Sequence, residues 1–339
     1  MIKLGALLLG CSVAVSGWAG PSIDSRRTSD ITSTKHNLST SGSGTVKSDP
    51  SAGGTSQICV FCHTPHASTL DNSVAAPLWN KQYSTATYTQ YDSASIQASI
   101  DDNPGGSSKL CLSCHDGTLA IGQVNVLEGR GNQRVSMQGV QGGGQMPLGT
   151  DGYTRNLGKD LTNDHPISLV YDAALAVADG ELFDPSNDVD GQGAQVGIRG
   201  SSTVDNQPRL VLEGASESAA KMQCTTCHDP HLTGLAEDSG TTIKFLRANR
   251  FQRVTHPTEG LFNEDNDILC LACHDKAGWA DSAHARSDVA DELYENSAAS
   301  LREFPNGMVV WEAGCLNCHD THSKQGSRRL LREGSTGNS

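Results

Sequence analysis

The chain has 339 residues, a formal net charge of −13, and only 36% hydrophobic and 5% aromatic residues beside 36 glycines. A side-chain core of ordinary proportions would be thin at that length, so something else must fill the interior, and a partly disordered secreted chain is the plain alternative. The acidity argues against nucleic acid or an anionic membrane surface as partner and favours a cationic or metal-bearing one.

Residues 1–19 carry Lys3, an apolar run through Val15 and the small-residue finish Gly17-Trp18-Ala19, and read as a secretory signal. Leu8-Leu9-Gly10-Cys11 resembles a lipobox, so a lipoprotein acylated at Cys11 is the lesser alternative. No later stretch approaches the roughly 20 apolar residues of a membrane-spanning helix. The expectation is an exported protein, extracellular or periplasmic, with no transmembrane segment.

Residues 20–56 are rich in Ser, Thr and Gly and read as a flexible N-terminal arm. Residues 57–223 hold a first pair of cysteine motifs and a Gly-rich insert. Gly142-Gly143-Gly144 and short apolar runs at 167–171 and 209–212 predict loops there, with a few strands and short helices. Residues 224–275 hold a second motif pair, 276–322 a fifth module, and 323–339 a polar tail. Asp184, Asp188 and Asp190 before Gly191 match a calcium loop incompletely, and a solvated acidic turn is preferred.

Ten of the eleven cysteines fall in five C-x-x-C-H units: Cys59/Cys62/His63, Cys111/Cys114/His115, Cys224/Cys227/His228, Cys270/Cys273/His274 and Cys315/Cys318/His319. Two thiols at that spacing reach the two vinyl groups of one haem as thioethers, and the next residue sets an imidazole on the iron. Structural zinc needs paired C-x-x-C but no histidine after each, and disulfides likewise leave five histidines unexplained. Five covalent haem c groups are therefore expected, and their apolar faces would supply the missing interior.

Seven histidines remain for the opposite faces of five irons: His36, His66, His165, His231, His256, His284 and His322. Methionine is a poorer source, since Met1 leaves with the signal and Met222 adjoins a motif. Bis-histidine iron throughout is expected, which favours low potentials. His66, His231 and His322 each follow a motif histidine by three residues, an internal repeat. On a helical turn i and i+3 share a face, so the second imidazole would lie beside the first haem and ligate its neighbour. That assigns His66 to the haem of Cys111/Cys114 and His231 to that of Cys270/Cys273. His165, His256 and His284 then go to the first, third and fifth haems. His36 and His322 are left to bind a neighbour's iron or to face solvent. Lys244-Phe245-Leu246-Arg247 and Arg328-Arg329-Leu330-Leu331-Arg332 follow two of the motifs and offer cations to haem propionates.

The stretch Ile58-Cys59-Val60-Phe61-Cys62-His63-Thr64-Pro65-His66, then Pro77-Leu78-Trp79-Asn80, then Lys109-Leu110-Cys111-Leu112-Ser113-Cys114-His115-Asp116-Gly117 resembles multihaem cytochromes with doubled C-x-x-C-H motifs. Asn163-Asp164-His165-Pro166 and residues 224–231 continue the likeness, which is nearest to the tetrahaem members that polymerise into extracellular cytochrome filaments, or nanowires. The resemblance implies a multihaem cytochrome c fold, mostly loops and short helices wrapped around a haem chain with few short strands. It also implies that a histidine in the position of His36 crosses to a haem of the next subunit. The fifth motif departs from the family pattern and could extend or cap such a filament.

Two functional classes follow. One is an electron carrier that exchanges electrons with other redox proteins or extracellular acceptors and can self-assemble into filaments. The alternative is a multihaem oxidoreductase of nitrite or hydroxylamine type, which needs one open iron. The histidine supply favours the carrier, with no catalytic residue expected.

Overall fold

The computed structural model of the protein describes residues 27–66, 76, 78–149, 155–185, 203–204, 207–208, 210–214, 217–235, 244–255, 257, 262–263, 266–322 and 328–332. The signal segment with Cys11, Asp188 and Asp190 of the calcium-like turn, His256, and most of the polar tail lie outside these residues.

Apolar runs in this chain are short and broken by Gly, Ser and Asp, and the regular elements are as short. In chain order they are β1 (Arg27–Ser29), β2 (Lys47–Ser48), α1 (Gly106–His115), β3 (Gln123–Leu127), β4 (Arg130–Arg134), β5 (Met137–Gln138), β6 (Leu169–Val170), α2 (Ala173–Asp179), β7 (Thr203–Val204), β8 (Gln207–Pro208), β9 (Lys221–Met222), α3 (Cys224–Cys227), β10 (Leu232–Leu235), β11 (Leu293–Tyr294), α4 (Asn296–Leu301), β12 (Met308–Val309) and α5 (Val310–Ala313), with 3-10 turns between them. Strands pair in twos, all antiparallel: β1 with β10, β2 with β5, β3 with β4, β6 with β9, β7 with β8 and β11 with β12. The described chain is thus mostly loop, and no helix in it is long and apolar enough to cross a membrane.

Local chemistry explains the elements that do form. The β3–β4 hairpin turns through Glu128 and Gly129, both left-handed at φ 50° and 74°, the pairing that matches strand twist in a two-residue loop. At the start of α2 the Asp172 side chain accepts the Leu175 N–H at 2.9 Å, and Gly180 closes the helix at φ 75°. Helix α1 carries the second cysteine motif, and its first turn receives the Glu213 carboxylate, which accepts the Ser107 N–H at 3.0 Å.

Burial is divided among small clusters instead of one core. The largest gathers Leu169, Tyr171, Leu210, Leu212 and Met222 against Cys227 and Cys273, and a second packs Phe61 and Val124 against Cys62. Each cluster therefore supports a cysteine motif. The arm is folded where it is described: β2 lies against β5, Ser48 donates its N–H to Leu38 O at 2.7 Å, and Asn37 and Ser39 are buried.

Candidate functional site

All five motifs use one helical turn to gather two thiols and an imidazole. The histidine N–H returns to the first cysteine's carbonyl at 2.8 Å in His63, 2.9 Å in His228, 3.0 Å in His274 and 3.0 Å in His319, and the second motif sits inside α1. Past the third motif the chain leaves the helix, with His228 extended at φ −114° and ψ 146°. The i+3 histidine there does not continue the helical face, contrary to the expectation from sequence.

A returning segment then clamps the motif. In the third, Asp229 N–H donates to Phe245 O at 2.7 Å and Arg247 N–H to Cys227 O at 2.8 Å. The Arg247 side chain donates to Thr225 O at 2.7 Å and pairs with the Asp229 carboxylate at 3.3 Å. The fifth motif repeats this bond for bond: Asp320 to Leu330 O at 2.8 Å, Arg332 to Cys318 O at 2.8 Å, its side chain to Leu316 O at 2.7 Å and to Asp320 at 3.1 Å. In the first motif Asn80 takes the arginine's place, with its N–H on Cys62 O at 2.9 Å and its buried side chain on Val60 O at 2.6 Å. The cations that sequence offered to propionates at Arg247 and Arg332 are thus engaged by carboxylates of their own motifs.

The histidines meet in pairs. Ring centres lie 6.1 Å apart in His63–His231, 6.2 Å in His36–His115, 6.2 Å in His228–His322 and 6.3 Å in His165–His274. Each pair joins one motif histidine to one outside the motifs. The angles between ring planes, 15°, 87°, 37° and 71° in the same order, share nothing, whereas the separation hardly changes. Direct aromatic contact behaves otherwise: His36 stacks on Phe245 at 4.4 Å. Among the described residues no cluster of three or more His, Cys, Asp or Glu is gathered as a metal site.

These pairs differ from the assignment made from sequence. His231 faces the first motif's histidine and not the fourth's; His165 faces the fourth's and not the first's. His36 and His322, left over in that assignment, face the second and third motif histidines. His66 and His284 are exposed. Among the described residues no ring is recorded facing His319, and His256, offered to the third haem, lies outside them.

Hydrogen bonding fixes which nitrogen is available. Nδ1 bonds a backbone carbonyl in His115 (Arg155, 2.7 Å), His228 (Lys244, 2.7 Å), His319 (Arg329, 3.0 Å) and His165 (Pro166, 3.1 Å). In His231 and His322 it bonds a carboxylate instead, Asp229 at 3.0 Å and Asp164 at 2.7 Å. A proton held on Nδ1 leaves the Nε2 lone pair for an ion. Burial pulls His36 down to about 3, and His228 and His274 down to about 4, so all three are neutral imidazoles near neutral pH, the ligating form. The Asp229 carboxylate raises His231, and on His322 the lowering by burial is outweighed by Asp164.

The motif thiols also influence one another in order. The Cys111 thiol hydrogen-bonds to Cys224, pushing the first up and pulling the second down, and Cys270 bonds Cys315 in the same way. Cys62 feels Cys114, and Cys273 feels Cys227. Electrostatic coupling therefore runs from first motif to second, third, fourth and fifth, with a hydrogen bond at the second-to-third and fourth-to-fifth steps. Sequence reasoning missed Asp164, Asp229 and Asn80; the recurring His-Asp-x-His of the third and fifth motifs is the one signal that pointed to any of them. Set against known proteins, the chain matches no family model and no curated protein significantly.

Proposed function

We propose that the protein is an electron carrier that moves electrons along a row of five covalently attached c-type haems, in extracellular or periplasmic respiratory electron transport. The observation that carries this reading is the constant separation of the four imidazole pairs. A histidine nitrogen binds a metal ion at about 2.0–2.1 Å and the ring centre lies about 1.1 Å behind it, so two imidazoles across one ion have centres about 6.3 Å apart. The four pairs fall at 6.1–6.3 Å, whatever their ring angle. Two opposed imidazoles fill the axial positions of a six-coordinate iron and suit a tetrapyrrole filling the other four, and each pair has two motif thiols beside it for thioether attachment.

When bound, haem supplies the one-electron couple of its iron. His63, His115, His228 and His274, with their facing partners, would hold those irons and withhold them from substrates. The sequential coupling of the motif thiols supports neighbouring centres that lie close together. Cys59 and His63 at one end of the row and Cys318 and His319 at the other are exposed, whereas the motif residues between them are partly buried. Electrons would enter and leave at the two ends, to other redox proteins or extracellular acceptors.

A second reading is favoured by His319, which has no facing ring among the described residues. One open iron there would suit an oxidoreductase, or a ligand supplied by another copy in a filament. Filament growth through His36 draws no support, because that ring faces His115 within the chain. Cross-linking Cys111 to Cys224 and Cys270 to Cys315 would account for two thiol contacts but for none of the imidazole pairs.

The test is pyridine haemochrome counting with electron paramagnetic resonance (EPR) on the oxidised protein. Five covalent haems, at least four of them low-spin, are expected. A protein without covalent haem, or with mostly high-spin iron, overturns the reading. A single stoichiometric high-spin signal identifies the fifth centre as the open one.

A further inference from the structure

Two of the six described Nδ1 hydrogen bonds differ in kind from the rest. His231 and His322 bond carboxylates, Asp229 at 3.0 Å and Asp164 at 2.7 Å, where His115, His165, His228 and His319 bond backbone carbonyls. Both carboxylates are buried, and both are built into the fold. Asp229 is gripped from its far side by Arg247, and Asp164 bridges backbone to backbone with His322 across 158 residues of sequence. The two histidines they hold are the partners of His63 and His228, the first and third motif histidines.

A carboxylate on Nδ1–H gives the ring more imidazolate character than a carbonyl does, because a charged acceptor draws the proton more strongly. The opposite nitrogen then donates more strongly to iron and stabilises the ferric over the ferrous state. The buried negative charge acts in the same direction. Resting on the bis-imidazole reading above, we infer that Asp229 and Asp164 are potential-setting residues that place the first and third centres below the second and fourth, so that potentials alternate along the row. Arg247 offsets part of the Asp229 charge and so limits the effect at the first centre.

The test uses the full-length haem-loaded protein and the variants Asp229→Asn, Asp164→Asn and Arg247→Gln, with haem counting, EPR and a potentiometric titration on each. Ring planes in the first and third pairs lie 15° and 37° apart and in the second and fourth 87° and 71°, so the ferric signals differ in rhombicity and show whether a wave that moves belongs to a carboxylate-held centre. Each Asp→Asn change is expected to leave haem count and low-spin character intact and to move one wave, that of its own centre, to higher potential. Arg247→Gln is expected to move the first centre's wave the other way, and the third centre's with it, because the Arg247 charge also acts on His228. Unmoved waves in low-spin variants overturn the inference and leave the bis-imidazole reading standing. If Asp→Asn turns a centre high-spin, that carboxylate is a structural clamp and the inference falls for that centre. A wild-type protein without low-spin haem removes the reading beneath it.

Discussion

His231 and His66 occupy the same place in their motifs, three residues past a motif histidine, yet their surroundings separate them. His231 stands opposite His63, its Nδ1 held by Asp229, whereas His66 is exposed and its peptide N–H folds back onto Thr64 Oγ1 at 3.3 Å. Under the haem reading, His231→Ala opens the first iron and converts about one fifth of the haem to high spin by EPR, a loss of axial ligation. His66→Ala is expected to leave the spectrum unchanged. A low-spin His231→Ala protein would show that the facing ring is not a ligand. The five motif clusters were legible because their chemistry lies within five consecutive residues and one helical turn. The partners were not, because proximity in sequence says nothing about which ring a loop carries across the molecule. His322 is set by Asp164, from a segment 158 residues away.

At the scale of elements, the clamps behind the first, third and fifth motifs hold the motif backbone in place. Asn80 shows the cost of losing one. Its side chain donates to Val60 O at 2.6 Å and Val126 O at 2.9 Å and accepts the Val126 N–H at 2.9 Å, all in a fully buried position. Asn80→Ala strands those backbone groups away from water, and a destabilisation of about 2–4 kcal/mol is expected, read as a lower thermal midpoint with unchanged haem content. A midpoint equal to wild type would mean that water replaces the side chain and that the clamp is not structural. Sequence disclosed the mixture of loops, short helices and few strands, since Gly, Ser and Asp interrupt every apolar run. It did not disclose the clamps. Leu-Trp-Asn, Phe-Leu-Arg and Leu-Leu-Arg share no pattern strong enough to align until their hydrogen bonds to Cys62, Cys227 and Cys318 are seen.

For the whole molecule, the boundaries read from sequence do not coincide with units of ligation. The arm carries His36 to the second motif, the insert carries His165 to the fourth, and the third motif's segment carries His231 to the first. The segment after the fifth motif carries His322 back to the third. Under the haem reading, residues 276–322 are therefore not an extension added to a complete four-centre chain, because they supply His322, the ring paired with His228. A chain ending at residue 275 is expected to bind four haems and to show one high-spin iron, and full-length His322→Ala to show one high-spin iron more than wild type. If the truncated protein holds four low-spin haems, the third iron has another ligand and the interlocked arrangement fails. If only full-length His322→Ala keeps its low spin, a sixth ligand comes from residues 276–339 other than His322. Agreement between the two proteins would make the fifth module a structural requirement of the third centre as well as the end of the row.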